Sequence, residues 1–188
     1  MTTIIPRRAI LGAALLASTL GYAGPAFAAP ASAAKTLHVS RSVTIDAPAA
    51  KVWGIVHNFG NLTWVPAVKS SQATDCNKPG SVRTLNLGGP KLTEQLVHYD
   101  APETMYKYEI QNTPENLKVL PVSHYRSVIS VQSLGPNKSK AMWTGSFKRA
   151  DPSANPAKGM DDESALTAIR GIYSSGLDNL KKFATGAG

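Results

Sequence analysis

Apolar and polar residues alternate from Leu37 to Ile45, where Leu37, Val39, Val43 and Ile45 are separated by His38, Ser40, Ser42 and Thr44. A period of two predicts a half-buried strand, with Arg41 breaking its apolar side. The period then lengthens. Ala47-Pro48-Ala49-Ala50-Lys51 opens a helix, Pro48 falling near the first position, where a missing N–H is harmless. Val52, Trp53, Val56 and Phe59 follow at helical spacing, and Gly60-Asn61 ends the run. Leu62 to Val68 reads as a second short helical piece, centred on Trp64 and cut at Pro66.

Beyond Val68 the pattern returns to strands. Asn77-Lys78-Pro79-Gly80 is a turn. Val82 to Leu87 and Leu92 to Tyr99 read as strands joined at Gly88-Gly89-Pro90, followed by Thr104 to Gln111. A proline-bounded loop from Asn112 to Ser123 leads to His124 to Ser133, and Gly135-Pro136-Asn137 leads to Lys138 to Lys148. After a Pro/Ala/Asn loop, Asp161 to Ala184 carries apolar residues at Ile169, Ile172, Tyr173, Leu177, Leu180 and Phe183, the stripe of one long amphipathic helix. Acids fill its first turn and Lys181-Lys182 its last, matching the helix dipole. Gly171 and Gly176 interrupt it and mark points where another backbone or a ligand is expected to come close.

The order predicts an α+β domain, a curved antiparallel sheet wrapped around the C-terminal helix with two short helices after the first strand. A strongly curved sheet and a helix enclose a space, the expected place for a ligand pocket. No internal repeat and no second domain boundary is visible in the chain.

Composition changes the picture mainly at the N-terminus. Arg7-Arg8 precedes the uncharged run Ala9 to Leu20, and Ala26-Phe27-Ala28 and Ala31-Ser32-Ala33 are small-x-small cleavage sites. Residues 1–28 are therefore expected to be a cleavable export signal, destined for the bacterial periplasm or the medium. The run is too short to span a bilayer, so stable membrane insertion is not expected. Both the general secretory and the twin-arginine routes fit, the latter weakened by Pro6 and Ile10. Ala29 to Lys35 reads as an unstructured linker, leaving 36–185 as the single domain. Removing residues 1–28 leaves 160 residues and takes away two basic residues and no acids, so the net charge falls from +8 to +6. Cys76 is the only cysteine, which excludes an internal disulfide.

Candidate chemistry is sparse. If Gly88-Gly89 is a two-residue turn, Arg83 and Glu94 lie directly opposite each other on an otherwise leucine face. Pro90 lacks the N–H such a turn uses, and a four-residue loop would move the pair to a diagonal on the same face. Either way one base and one acid point inward. They form a mutually satisfied buried pair, or Arg83 anchors a carboxylate, phenolate or enolate while Glu94 orients it; both readings stay open. Tyr106, Tyr108 and Ile110 form an inner row, as do Tyr125, Ile129 and Val131, and Ala141, Trp143, Gly145 and Phe147. His38, His57, His98 and His124 have no metal spacing and suit solvated or capping positions. No mechanistic motif or basic cluster is present, so no cofactor, metal or nucleic-acid partner is expected.

Several segments carry a resemblance. Ala47-Pro48-Ala49-Ala50-Lys51-Val52-Trp53, Phe59-Gly60-Asn61-Leu62-Thr63-Trp64, Pro79-Gly80-Ser81-Val82-Arg83 and Thr93-Glu94-Gln95-Leu96 resemble the SRPBCC (START/Bet v1-like) superfamily, in its polyketide cyclase/dehydrase-like branch. Leu120-Pro121-Val122, Trp143-Thr144-Gly145-Ser146-Phe147 and Gly171 to Leu177 continue it, so it runs from Leu37 to Phe183. The resemblance implies a helix-grip fold with an apolar cavity, whose members bind lipids, sterols, hormones or polyketides and in a minority catalyse cyclisation or dehydration. Many relatives have Trp-His-Pro where this chain has Trp64-Val65-Pro66, so an acid–base role for that histidine has no counterpart here. The expected ligand contacts are Trp64, Arg83, Leu85, Glu94, Tyr106, Tyr108, Tyr125, Trp143, Tyr173 and Leu177, with Arg83 and Glu94 the candidates for any catalysis. Together these features lead to the expectation of an exported protein holding a small hydrophobic or aromatic ligand, with a cyclase/dehydratase-type enzyme as the alternative.

Overall fold

The computed structural model describes residues 34–186. The expected export signal, residues 1–28, and most of the linker lie outside the described residues. Ala34 is already buried, and Lys35 pairs with Asp162 at 3.4 Å.

Seven strands form one antiparallel sheet: β1 (Leu37–Ile45), β2 (Ser70–Ala73), β3 (Val82–Asn86), β4 (Lys91–Asp100), β5 (Met105–Ile110), β6 (Val122–Gly135) and β7 (Lys138–Arg149). Their spatial order is β1-β7-β6-β5-β4-β3-β2, so the first strand joins the last and the chain crosses to the far edge before starting its meander. Register shifts interrupt the ladder between Leu96 and His98, Ser123 and Arg126, and Ser133 and Gly135. Such bulges bend a strand and strengthen its twist, which curls the sheet around a helix. The first of them leaves His98 about half exposed, 3.9 Å from Asp100. The second contains His124 in left-handed conformation, and it lets β6 begin two residues before the alternating pattern does.

Three helices complete the domain: α1 (Ala49–Val56), α2 (Pro114–Val119) and α3 (Asp162–Thr185). Between β1 and β2 only one of the two expected short helices forms. Leu62 to Val68 is a pair of tight turns, with Val65 N–H on the Leu62 carbonyl and Val68 N–H on the Val65 carbonyl. Pro66 explains the difference, since it has no N–H to offer and pushes the residue before it out of the helical region. The second short helix lies instead inside the segment expected to be a loop. Thr113 caps it by accepting from the Asn116 N–H at 3.2 Å, and Pro114 occupies the first turn. The proline that looked like a boundary is a helix start. Strand β2 was invisible because an edge strand reading Ser-Ser-Gln-Ala carries no apolar alternation.

Helix α3 lies across the concave face, packed chiefly on β1 and β7. Asp161 caps its start, accepting from the Ser164 N–H at 2.7 Å, and Gly186 closes its end in left-handed conformation. Arg149 at the end of β7 fixes that start further, donating to Asp162 at 3.1 Å and to the Asp151 and Ser153 carbonyls. The buried stripe runs Ala165, Ile169, Tyr173, Leu177, Leu180 and Ala184. Phe183, expected on that stripe, is 56 % exposed, because spacing by four hands the last inward position to Ala184.

The two glycines of α3 divide sharply. A Cβ at Gly176 would sit 2.9 Å from the Trp143 ring and 3.3 Å from Trp64, so glycine there admits two indoles against the helix backbone. Gly171 is exposed with nothing within 4 Å, contrary to the close approach expected at both. Gly171→Ala should therefore stabilise the protein by about 0.5–1 kcal/mol in chemical denaturation. Destabilisation would mean that Gly171 is packed.

Candidate functional site

The site begins with a hairpin. Leu85 pairs with Leu92, Thr84 with Thr93 and Arg83 with Glu94, the register of a two-residue Gly88-Gly89 turn. Both glycines have positive φ, and the turn closes through the Leu87 N–H on the Pro90 carbonyl at 3.2 Å, which requires nothing of the missing proline N–H. The register places Arg83 and Glu94 side by side on the inner face, 0 % and 3 % exposed.

Arg83 is thoroughly engaged. Its Nε and Nη2 donate to the same carboxylate oxygen, Glu94 Oε2, at 2.8 and 2.5 Å, and Nη1 donates to the Phe59 carbonyl at 2.8 Å. The guanidinium lies 4.2 Å from the Phe59 ring centroid and 5.2 Å from that of Tyr108. Burial, the largest single influence, would lower its pKa, but Glu94 together with Tyr106 and Tyr108 outweighs it and the net shift is upward. Burial pushes the Glu94 carboxyl upward, opposed by the charge and hydrogen bonds of Arg83. Because arginine keeps its proton, the pair is ionic, with Glu94 as its counter-ion.

Beside this pair a hydroxyl network links sheet and helix. Tyr125 Oη lies 2.6 Å from Tyr173 Oη, which lies 3.0 Å from Ser127 Oγ. Trp143 Nε1 donates to Tyr108 Oη at 3.0 Å and to Ser127 Oγ at 2.9 Å. Trp143 and Tyr173 stack at 4.4 Å with their planes 14° apart. Gly145 makes this possible, since a Cβ there would come within 2.3 Å of Tyr173 Oη.

Burial drives the phenol pKa values of Tyr106, Tyr108, Tyr125 and Tyr173 upward. Each folded-state pKa thus exceeds the unfolded value of about 10. The stability this confers is complete below that value and is lost as pH rises through the folded-state range. In an alkaline titration the phenolate absorbance of these four tyrosines should appear together with unfolding. Their reversible ionisation near pH 10 with the fold intact would contradict it.

A cavity of about 60 Å³ remains between sheet and α3. Of the expected contacts, Leu85, Glu94, Tyr108, Tyr125 and Trp143 border it. Trp64, Arg83, Tyr106, Tyr173 and Leu177 are buried in the surrounding layer without bordering it. Arg83 therefore stands behind Glu94, and the polar charged group at the cavity is the acid. Val65, at the position of the histidine of many relatives, presents only an isopropyl group to it. The lining also includes Leu62, Val68, Leu92 and Ile169, which sequence reading did not assign. Ser127 was missed as well, although it alternates with Tyr125 and Ile129 and so shares their face. A broader groove of about 580 Å³ crosses the outer face of the sheet between Lys107, Arg126, Val128 and Thr144. It is open to solvent; Arg126 and Glu109 pair across it at 3.5 Å, and Lys107 leaves it with an excess positive charge. The enclosed inner cavity, with its single carboxylate, is the better candidate.

Comparison with known proteins agrees with this architecture. The profile of the family described as polyketide cyclase/dehydrase and lipid transport matches residues 36–184. An uncharacterised protein from Bacillus thuringiensis is 31 % identical, with 79 % of this chain and 99 % of that one covered and a TM-score of 0.65. An aromatase/cyclase from Streptomyces is 20 % identical over 80 % of this chain and 94 % of its own, with a TM-score of 0.61. Norcoclaurine synthase from Thalictrum flavum shares the fold at 12 % identity, 82 % and 97 % coverage and a TM-score of 0.59. No curated protein matches the chain. Sheet order, the helix in its grip and a family match spanning the whole described domain agree: this chain belongs to the polyketide cyclase/dehydrase and lipid transport family.

Proposed function

We propose that this protein is an exported carrier or sensor that holds a small hydrophobic or aromatic molecule between the sheet and α3. The observation that carries the reading is the apolar cavity bordered by one carboxylate. Ala67, Leu87, Leu120 and Ile172 border it too and are partly or fully exposed, so the cavity lies close to the surface where the loop after α1, the β3–β4 hairpin, the end of α2 and α3 meet. Its volume of about 60 Å³ is enough for ordered water but well below that of a typical preformed ligand pocket. A larger ligand enters by separating those segments, and apolar contact then supplies most of its affinity, at roughly 25 cal/mol per Å² buried.

The chemistry of the cavity favours binding over turnover. Glu94 is committed to Arg83 through Oε2, and burial keeps the phenols of Tyr108 and Tyr125 protonated. Neither is poised to shuttle a proton near neutral pH. Export rests on Arg7-Arg8, the uncharged run after it and the two cleavage sites. Among the described residues no helix is long and apolar enough to cross a membrane.

Native mass spectrometry of protein recovered from the exported fraction, with organic extraction of its contents, tests both parts. The expected result is a chain shortened at Ala28 or Ala33 and a retained apolar compound. A full-length chain found only in the cytosol would overturn export. An empty chain that also fails to take up added apolar compounds would overturn the carrier reading.

A further inference from the structure

The hydroxyl network has a direction. Ser127 Oγ lies 2.7 Å from the Thr144 carbonyl, which can only accept, so the serine proton is spent there. Tyr173, 3.0 Å from Ser127 Oγ, must then donate to it, and Tyr125, 2.6 Å from Tyr173, must donate in turn. Tyr108 is the head of the chain. It accepts from Trp143 Nε1, and its own proton has only a long contact of 3.3 Å, to Tyr125 Oη. Tyr108 also borders the cavity. Of the network's hydroxyls, its proton is the one free to turn toward a ligand.

Glu94 presents the complementary group. Both guanidinium bonds end on Oε2, and among the described residues Oε1 accepts no hydrogen bond, although the side chain is only 4 % exposed and borders the same cavity. A carboxylate oxygen beside an apolar cavity, given no donor by the protein, is an arrangement that a ligand O–H would complete.

We infer that Glu94 Oε1 and Tyr108 Oη together select neutral, hydroxyl-bearing apolar ligands, alcohols or phenols, over both hydrocarbons and carboxylates. A hydroxyl donates to Glu94 and accepts from Tyr108 at once. A hydrocarbon leaves Oε1 unpaired. A carboxylate meets the charge of Glu94, while Arg83, its natural partner, is held by Glu94 and the Phe59 carbonyl and faced by the Phe59 and Tyr108 rings. This inference rests on the cavity being the ligand site, and it reverses the polarity of an Arg83 anchor.

Phenol, toluene and benzoate share a ring and differ in the one group that matters. In calorimetric titrations of the purified protein, phenol should bind at least about tenfold more tightly than toluene, with benzoate weakest. Tyr108→Phe should reduce the advantage of phenol severalfold and leave toluene unchanged. Glu94→Gln turns an acceptor toward the cavity into a donor, so it should lessen the preference for phenol and lift benzoate; if it does not fold, Tyr108→Phe and the wild-type series decide. Equal affinity for phenol and toluene, or benzoate binding best, would overturn the selection while leaving the cavity as the site. No binding of any of the three would overturn the site reading beneath it.

Discussion

Glu94→Leu is expected to destabilise the protein by about 3–5 kcal/mol, among the largest effects available to a single substitution here. The loss comes from what remains. Arg83 keeps its charge, is 0 % exposed, and would retain only the Phe59 carbonyl and the aromatic faces of Phe59 and Tyr108 as compensation. Arg83→Met should be damaging for the mirror-image reason, since burial already pushes the Glu94 carboxyl upward and only Arg83 opposes it. The double variant is the informative one. With both charges gone and similar volume retained, stability should return to within about 1–2 kcal/mol of the wild type. Chemical denaturation of the four proteins measures the coupling directly. Additive losses would mean that the two side chains do not depend on one another, contrary to the 2.8 and 2.5 Å contacts between them.

Gly145→Ala carries the second large effect. A strand glycine is ordinarily a weakness, but here it is the gap through which the helix reaches the sheet. Its Cβ would meet Tyr173 Oη at 2.3 Å, and that oxygen cannot retreat freely, being hydrogen-bonded to Tyr125 and Ser127 on a ring stacked against Trp143. Overpacking of this kind costs about 1–3 kcal/mol. Removing the offending oxygen should relieve it: in Gly145→Ala/Tyr173→Phe the next nearest atom is the ring carbon at 3.3 Å, a contact that small shifts accommodate. The double variant should therefore be more stable than the sum of its parts predicts, by about 1 kcal/mol or more. Strict additivity would place the strain elsewhere than at Tyr173.

These two positions also mark how far the sequence could be read. Alternation alone put Arg83, Leu85, Glu94, Tyr106 and Tyr108 on the inner face, because a strand has only two faces. Whether Arg83 and Glu94 stand opposite or on a diagonal was open in the sequence and is decided by the turn at Gly88-Gly89, since register follows from the turn. Which inner residues touch the cavity was not legible. Leu85 and Arg83 share a strand and a face, yet only Leu85 borders the space, since the length of arginine carries its guanidinium behind Glu94. Gly176 was legible as a point of close approach, but what approaches it, and the role of Gly145, depend on where α3 crosses the sheet, a tertiary fact with no local signature. The exposed Gly171, on the same helix, looks identical in sequence. Errors in the elements have equally local causes: Pro66 prevented a helix and Pro114 began one, and the same residue type means opposite things according to whether a capping threonine precedes it.

The interior leaves little empty space. Trp64, Trp143 and the buried tyrosines occupy most of the interior, leaving about 60 Å³ rather than the 300 Å³ or more of a typical preformed ligand pocket. On the proposed carrier reading, a ligand enters by displacement at the rim rather than into a preformed pocket. Selectivity then falls to the few polar atoms that face inward.

The most direct test of the account is a two-dimensional NMR titration with phenol, following the indole N–H and methyl signals. Trp143, whose indole N–H is shared between Tyr108 and Ser127, and the methyl groups of Leu85, Ile169 and Ile172 at the cavity should shift together and saturate at one affinity. Val97 and Val128, on the outer groove, should not move. Shifts confined to those two valines, or no shift anywhere, would contradict a ligand site between sheet and helix.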